Sequence, residues 1–253
     1  MDSYSILKRG LASGYRWGYP PHFESTRAAM RVIMGLNIAV FGAWTYASTA
    51  RNEKWHRYLT ENALLSWAHV RANHYWTVVT SAFSHKAPMH ILFNMVSLNA
   101  FAGVLYTAGG LGLGPFHIFA LTLGSAVTGS LGFLYYRQLA AKQKDGRFGP
   151  YGQHLPSLAA TGLGASGVVM GFAAAATCIA PFQPMMAMMI PVPVPMWVLT
   201  GIYFALDAFM LGSNDSVGHD AHLGGAVFGL AYYMVALRRF GGVSQLLRRG
   251  GRF

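Results

Sequence analysis

Two long stretches of this chain contain no charged side chain. No Asp, Glu, Lys or Arg occurs from Ala87 to Tyr136 or from Phe148 to Leu206. A helix that crosses a bilayer needs roughly 20 apolar residues, so each stretch has room for two. Charged residues make up 11% of the 253-residue chain, whereas soluble domains carry about 25%. The sequence therefore predicts an integral membrane protein with an all-α fold.

Six membrane-spanning helices are predicted from the apolar stretches and the segments that interrupt them. A Gly- and Pro-rich turn at 108–115 divides the first stretch, and the polar segment 137–160 is predicted to be a loop. With six spans, both chain ends lie on the same side of the membrane. The predicted helices cover residues 32–49, 89–107, 116–136, 165–180, 195–212 and 221–237.

Two of the connections have distinctive sequences. Residues 59–70 carry Trp67 and several apolar side chains at helical spacing. This pattern predicts a short helix partly within the membrane interface, and a solvated surface helix is equally compatible with it. The Pro- and Met-rich segment 181–195 is predicted to be a connection at the membrane surface.

The six helices are expected to form one domain, residues 29–238, between a basic segment (1–28) and a basic tail (239–253). The net charge is +11, and the basic residues flank the apolar spans. Anionic lipid is therefore a better partner for them than nucleic acid. The first segment lacks the uninterrupted apolar core of a secretory signal peptide. The lone Cys178 excludes an intrachain disulfide and provides no zinc site.

Four polar side chains fall near the start of the even-numbered helices, which all enter the membrane from one side. His90 and Asn94 lie in the first turns of the second helix, Ser166 in the first turn of the fourth and His222 in the first turn of the sixth. His90 and Asn94 are four residues apart, so they share a helix face. Each polar residue alone is compatible with ordinary helix packing, but ionisable groups within spans are functional candidates.

Ser166 and His222 have the chemistry of a nucleophile and its base. A serine hydroxyl attacks poorly unless a neighbouring base accepts its proton. Small residues four apart let two helix backbones approach closely, and such a pair follows both the serine and the histidine. These pairs are Gly167 with Gly171 and Gly225 with Gly229. We therefore expect Ser166 Oγ and His222 to lie within about 3.5 Å of each other.

A third, acidic member of the site does not follow from spacing. Asp207 in the fifth helix and Asp220 beside His222 could each contact the histidine, but neither spacing requires it. The assignment is therefore a Ser–His dyad. No cofactor and no metal ion are predicted.

Three segments together resemble the signature regions of rhomboid intramembrane serine proteases. They are SHKAPMHILFN (84–94), GASG (164–167) and AHLGGAVFG (221–229), and the resemblance extends over residues 32–237. It implies a six-helix rhomboid-like bundle that cleaves transmembrane substrates, with Ser166 as nucleophile and His222 as general base.

The resemblance also implies roles for neighbouring residues. The Ser166 backbone N–H, Asn94 and His90 would form the oxyanion hole, and His85 falls on a family histidine position near the mouth of the site. Gly164 is assigned to helix packing, together with the four glycines named above.

A particular branch of the family is also indicated. The segments GASGVVM and DAHLGGAVFG and the acid Asp207 look like the mitochondrial, presenilin-associated rhomboid-like branch. Location in the mitochondrial inner membrane is therefore expected, with another cellular membrane as the alternative.

The expected function is a serine endopeptidase that cuts single-span membrane proteins. The alternative is a non-proteolytic rhomboid-like protein that binds or escorts membrane helices. Such proteins usually lack the serine or the histidine, and this chain has both. A transporter or channel is less compatible, because it would place polar residues along the full membrane depth rather than at one end.

Overall fold

The fold of this protein is a helical bundle with one small β-hairpin. A computed structural model describes residues 22–107, 113–142, 160–187, 190–211, 213 and 217–245. In chain order its elements are Phe23–Thr49 (α1), Glu53–Ala63 (α2), Trp67–Arg71 (α3), Thr77–Thr80 (α4), Pro88–Thr107 (α5), Pro115–Lys142 (α6), Ser166–Ile179 (α7), Pro184–Ala187 (β1), Ile190–Pro195 (β2), Met196–Phe209 (α8) and His219–Tyr232 (α9). A 3₁₀ turn, Ser81–Phe83, follows α4, and a π-helical turn, Tyr233–Leu237, extends α9.

The predicted fold class, an all-α membrane protein with a six-helix bundle, is confirmed. The six predicted helices correspond to α1 and to α5 through α9. Helices α1, α5 and the Pro115–Ala140 part of α6 are long and apolar enough to cross a membrane. Helices α7 and α8 are shorter apolar helices of 14 residues each. Helix α1 begins at Phe23, well before the residue 32 predicted from hydropathy.

Helix α6 is longer than predicted, so the loop prediction for 137–160 is wrong over residues 137–142. Arg137 does not end the helix because its charge is accommodated within the bundle. Its guanidinium carbon lies 4.0 Å from the centre of the Phe133 ring, and its Nε lies 3.8 Å from Asp220 Oδ2. The rest of the predicted loop, 143–159, lies outside the described residues, as do 1–21 and 246–253 of the two basic segments and 108–112 of the predicted turn.

The single short helix predicted over 59–70 is wrong, because two helices, α2 and α3, cover this region. They are separated by Leu65, which exchanges two backbone hydrogen bonds with Gly162, at 2.8 and 2.9 Å. Ser66 then starts α3 by accepting a hydrogen bond from the His69 N–H. The break in the helix thus ties this segment to the chain just before α7.

The predicted connection 181–195 contains an antiparallel hairpin. Strand β1 pairs with β2 from Pro184 opposite Pro195 to Ala187 opposite Ile190. Prolines lack the N–H that a central strand must donate, which suits them to a short two-stranded hairpin. The hairpin leads directly into α8.

The backbones of α6, α7 and α9 pack against each other with almost no side chain between them. A Cβ atom added to Gly225 would collide with the Gly167 carbonyl oxygen, and one added to Gly229 would collide with that of Gly171. A Cβ atom on Gly129 of α6 would lie 2.9 Å from the Ala221 carbonyl oxygen. Every residue of α7 from Gly167 to Ala176 is buried. Helix α7 therefore lies at the centre of the bundle.

His85 links the start of α5 to the residue before α7. Its side chain is fully buried, and its Nε2 accepts hydrogen bonds from Asn94 Nδ2 (3.1 Å) and from the Ala165 N–H (3.3 Å). A ring nitrogen that accepts two hydrogen bonds carries no proton, so the imidazole is neutral. Burial, assisted by the nearby His90, lowers the pKa of His85 to about 4.

Replacing Gly225 by alanine should destabilise the bundle. The added methyl group meets a carbonyl oxygen, and overpacking of this kind costs about 1–3 kcal/mol. The matched control is Gly201→Ala in α8, where nothing lies within 4 Å of the added Cβ. There alanine should be neutral or raise stability by roughly 0.5–1 kcal/mol. Thermal unfolding in detergent measures both variants, and equal melting temperatures would contradict the backbone packing.

The buried His85 should make stability depend on pH. Its folded pKa lies below the ordinary value of 6.5, so between pH 6.5 and 4 only the unfolded chain binds this proton. Its contribution to stability is complete above pH 6.5 and is lost as the pH falls toward 4. In His85→Gln the melting temperature should change less between pH 6.5 and 4 than it does in the native protein. An unchanged slope in His85→Gln would refute this role.

Candidate active site

One cavity lies where α5, α7 and α9 begin. Its volume is about 840 Å³, and α6 forms its opposite wall with Ser125, Gly129 and Phe133. The cavity is lined by three of the four predicted polar site residues, His90, Ser166 and His222, and by the predicted packing residues Gly164 and Gly167. The predicted meeting of these three helix starts is therefore present. The first-turn N–H groups of a helix lack intrahelical acceptors, so helix starts of this kind favour negative charge.

Ser166 is the first residue of α7, and the loop before it is held by backbone hydrogen bonds. The Gly164 N–H donates to the Ser81 carbonyl oxygen at 2.9 Å, and Ala165 N–H donates to His85 as described above. Gly164 has φ = +117°, a conformation that other residues rarely adopt. The Cε1 atom of His90 lies 2.6 Å from where a Gly164 Cβ would be. Gly164 was predicted to serve helix packing; instead it lies in this loop and makes room for His90.

His222, in the first turn of α9, is oriented by an acid on α8. Its Nδ1 lies 2.9 Å from Asp207 Oδ1, and because a carboxylate only accepts, Nδ1 carries the proton. Nε2 of the neutral ring is then left as the proton acceptor. Asp207 Oδ1 also accepts a hydrogen bond from His219 Nδ1, at 2.6 Å. The Ser–His assignment from sequence thus omits a residue that directly contacts the histidine.

The other candidate acid, Asp220, is engaged elsewhere. Its Oδ1 accepts a hydrogen bond from the Ala221 N–H at 2.8 Å, and its Oδ2 faces Arg137. Of the two acids left open by the sequence, the structure pairs Asp207 with His222. A sequence signal for it existed, since Asp207 is the only charged residue between Phe148 and Ser213.

Ser166 and His222 both line the cavity, but they are not hydrogen-bonded to each other. Gly167 and Ala221, the residues adjacent to them in sequence, are in backbone contact, with a Gly167 Cβ position 3.0 Å from the Ala221 oxygen. Within the described part of the chain, the expected bond from Ser166 Oγ to His222 is absent. Catalytic hydrogen bonds are often long in unliganded proteins and tighten when substrate binds.

His90 and Asn94 share a face of α5 but differ in their surroundings. His90 lines the cavity, whereas Asn94 lies one turn further along, is buried, and donates to His85. The His85 and His90 rings meet edge to face with centroids 5.0 Å apart. The arrangement places one imidazole at the cavity wall and a buried Asn–His–backbone network directly behind it.

We compared the chain with a family model and with known proteins. Residues 72–239 match the family model of the Rhomboid domain. The chain is 30% identical over 246 residues to Rhomboid protein 1, mitochondrial, of Saccharomyces cerevisiae, an alignment that covers 92% of this chain. It is 29% identical over 215 residues to RHOMBOID-like protein 12, mitochondrial, of Arabidopsis thaliana, which covers 83% of this chain.

The matched region is only part of these relatives. The chain spans 63% of the length of the yeast protein and 60% of that of the Arabidopsis protein. The Rhomboid-domain match contains the starts of α5, α7 and α9, all the predicted site residues, and every residue that lines the cavity except Leu65. On this match the chain belongs to the rhomboid family.

Proposed function

We propose that this protein is an intramembrane serine endopeptidase. The observation that carries the proposal is the cavity that Ser166 and His222 share, with Asp207 hydrogen-bonded to the histidine. A nucleophile, a base, and a group that orients the base are the three parts that acyl transfer by serine requires. Family membership supports the same reading.

In the proposed reaction, His222 Nε2 accepts the hydroxyl proton as Ser166 Oγ attacks a substrate carbonyl carbon. The resulting imidazolium is stabilised by Asp207, and it returns the proton to the leaving amine when the peptide C–N bond breaks. Water then attacks the acyl carbon and gives a proton to His222 Nε2. The bond from the acyl carbon to Ser166 Oγ breaks, the imidazolium returns the proton to Ser166 Oγ, and the carboxylic acid is released. No cofactor is required for these steps.

The negative charge that develops on the carbonyl oxygen needs hydrogen-bond donors. The Ser166 N–H, at the start of α7, is one candidate, and His90 at the cavity wall is another. Asn94 could contribute a second amide proton beyond the one it donates to His85. In other serine proteases, one such donor is worth about 10²–10³-fold in rate.

The proposed substrates are single-span membrane proteins. A carbonyl within an intact helix is hydrogen-bonded, so the substrate helix must unwind locally to present it. Unwound backbone within a membrane is tolerated where it lies in a polar, water-containing cavity. The names of both relatives place them in mitochondria, and we extend this to the present chain as a multi-pass protein of the inner mitochondrial membrane that contacts anionic lipid.

A second candidate function is binding or escort of membrane helices without cleavage. The pairing of Asp207 with His222 argues against it, because a binding protein has no need of an oriented base beside a serine. A transporter is disfavoured because His90, Ser166 and His222 meet at one cavity where three helices begin. Cleavage of a single-span substrate by the purified protein separates these functions.

Ser166→Ala and His222→Ala should each reduce kcat by on the order of 10³-fold or more, since either loss disables the unit. Ser97→Ala, a serine of α5 outside the cavity, is the matched control and should retain activity. The measurement is cleavage of a single-span substrate by protein reconstituted in lipid, with melting temperatures to verify folding. Substantial cleavage by a folded Ser166→Ala protein would remove Ser166 as nucleophile.

Asp207→Asn should lower kcat by roughly 10²–10⁴-fold with little change in KM. The neutral amide can donate to His222 Nδ1, which would leave the proton on Nε2 and abolish the base, as seen when other triads lose this carboxylate. Asp220→Asn is the matched control, because Asp220 pairs with Arg137 rather than with His222. Equal losses in the two variants would show that Asp207 has no special role in orienting the base.

A further inference from the structure

Three ligand atoms of the kind that hold transition metals converge beside the proposed active site. Asp207 Oδ1, His219 Nδ1 and His222 Nδ1 all lie within 4.8 Å of one another. His219 and His222 are three residues apart in the first turn of α9, so they share a face, and Asp207 reaches them from α8. This cluster, the Asp207–His219–His222 cluster, is the only group of three such side chains within the described residues.

The chemistry of the cluster favours zinc over magnesium or calcium. Imidazole nitrogens suit zinc, copper and nickel, whereas magnesium and calcium take oxygen ligands. With bonds of about 2.0–2.2 Å, ligand atoms in a tetrahedral zinc site lie roughly 3.3 Å apart. The two histidine nitrogens are 2.6 and 2.9 Å from Asp207 Oδ1, so each has to move about 0.4–0.7 Å away from that oxygen. The two nitrogens lie within 4.8 Å of each other and have to reach the same spacing of about 3.3 Å.

Access to the cluster and a fourth ligand are available. His219 and His222 both line the cavity, so an ion can reach the cluster from it. A water molecule in the cavity can complete the tetrahedron, as in zinc sites with three protein ligands. Asp207 is buried, with its side chain 8% exposed, which favours neutralising its charge with a cation.

We propose that the Asp207–His219–His222 cluster binds a zinc ion and that the ion inhibits cleavage. Zinc on His222 Nδ1 requires that nitrogen to be deprotonated, so the neutral ring carries its proton on Nε2. In that tautomer Nε2 donates and cannot accept the proton of Ser166. The carboxylate is also withdrawn from the histidine it orients. The inhibitory part of the proposal rests on the proposed function, whereas the binding part does not.

Binding is tested without reference to cleavage, on the full chain carrying Ser166→Ala, which keeps all three ligands. Calorimetric titration with zinc chloride should give one ion per chain, and cobalt(II) should give the visible absorption bands of tetrahedral coordination. Adding His219→Gln should weaken zinc binding at least tenfold. His74→Gln is the matched control and should leave zinc binding unchanged, because His74 does not belong to the cluster and stacks on His69 instead.

A second ligand variant keeps the test decisive if His219→Gln does not fold, as judged by melting temperature. Asp207→Asn in the same Ser166→Ala chain replaces the charged carboxylate ligand by a neutral amide, a poorer ligand for zinc, with little change of shape, and it should also weaken zinc binding at least tenfold. Zinc affinity unchanged in a folded ligand variant, or no zinc binding at all, would overturn the site.

Inhibition is tested on the metal-free protein with Ser166 intact. Zinc should stop cleavage at the concentration at which it binds, a chelator should restore it, and magnesium should have no effect. His219→Gln should need at least tenfold more zinc, relative to its own uninhibited rate. Cleavage that continues in the zinc-saturated protein would refute inhibition, whereas absence of cleavage in metal-free protein would refute the proposed function and leave the binding result standing.

Discussion

The structure depends on the direct contact between the backbones of α7 and α9. Gly225 and Gly229 lie against the carbonyl oxygens of Gly167 and Gly171, with no room for a Cβ atom on either. In a membrane, helices gain little from burying apolar surface against each other, so close van der Waals packing supplies much of their association. The same contact brings the first turns of both helices together, and these turns carry Ser166 and His222. Packing and site geometry therefore have one cause.

Polar groups within this apolar bundle are accommodated in small, specific networks. His85 accepts from both Asn94 and Ala165, Asp207 accepts from two histidines, and Asp220 faces Arg137. Burying an unpaired charge or polar group is costly, so each network both stabilises the fold and fixes the side chains it contains. His85 shows this most directly, because its two hydrogen bonds connect the start of α5 to the loop that leads into Ser166.

The sequence match shows the family, and the geometry of the cavity shows how this chain arranges its own side chains. The match over residues 72–239 establishes the family, and the sharing of one cavity by His90, Ser166 and His222 is consistent with it. The pairing of Asp207 with His222 and His219 is a property of this chain's own geometry. It gives His222 a defined tautomer, and it also brings together three ligand atoms that form the proposed zinc site. One carboxylate thus connects the proposed chemistry with its proposed inhibition.

The sequence alone predicts the membrane class, the six apolar helices and the candidates Ser166 and His222, because these follow from hydropathy, from turn residues and from signature segments local in the chain. It did not determine the length of α6, the break between α2 and α3, or the partner of His222. Arg137 continues α6 because it contacts Phe133 and Asp220, and Leu65 interrupts a helix because it pairs with Gly162. Asp207 and His222 lie on different helices, and no spacing along the chain fixes how those helices are rotated. Which acid contacts His222 depends on how α8 packs against α9, and this packing is a property of the folded bundle rather than of any local segment.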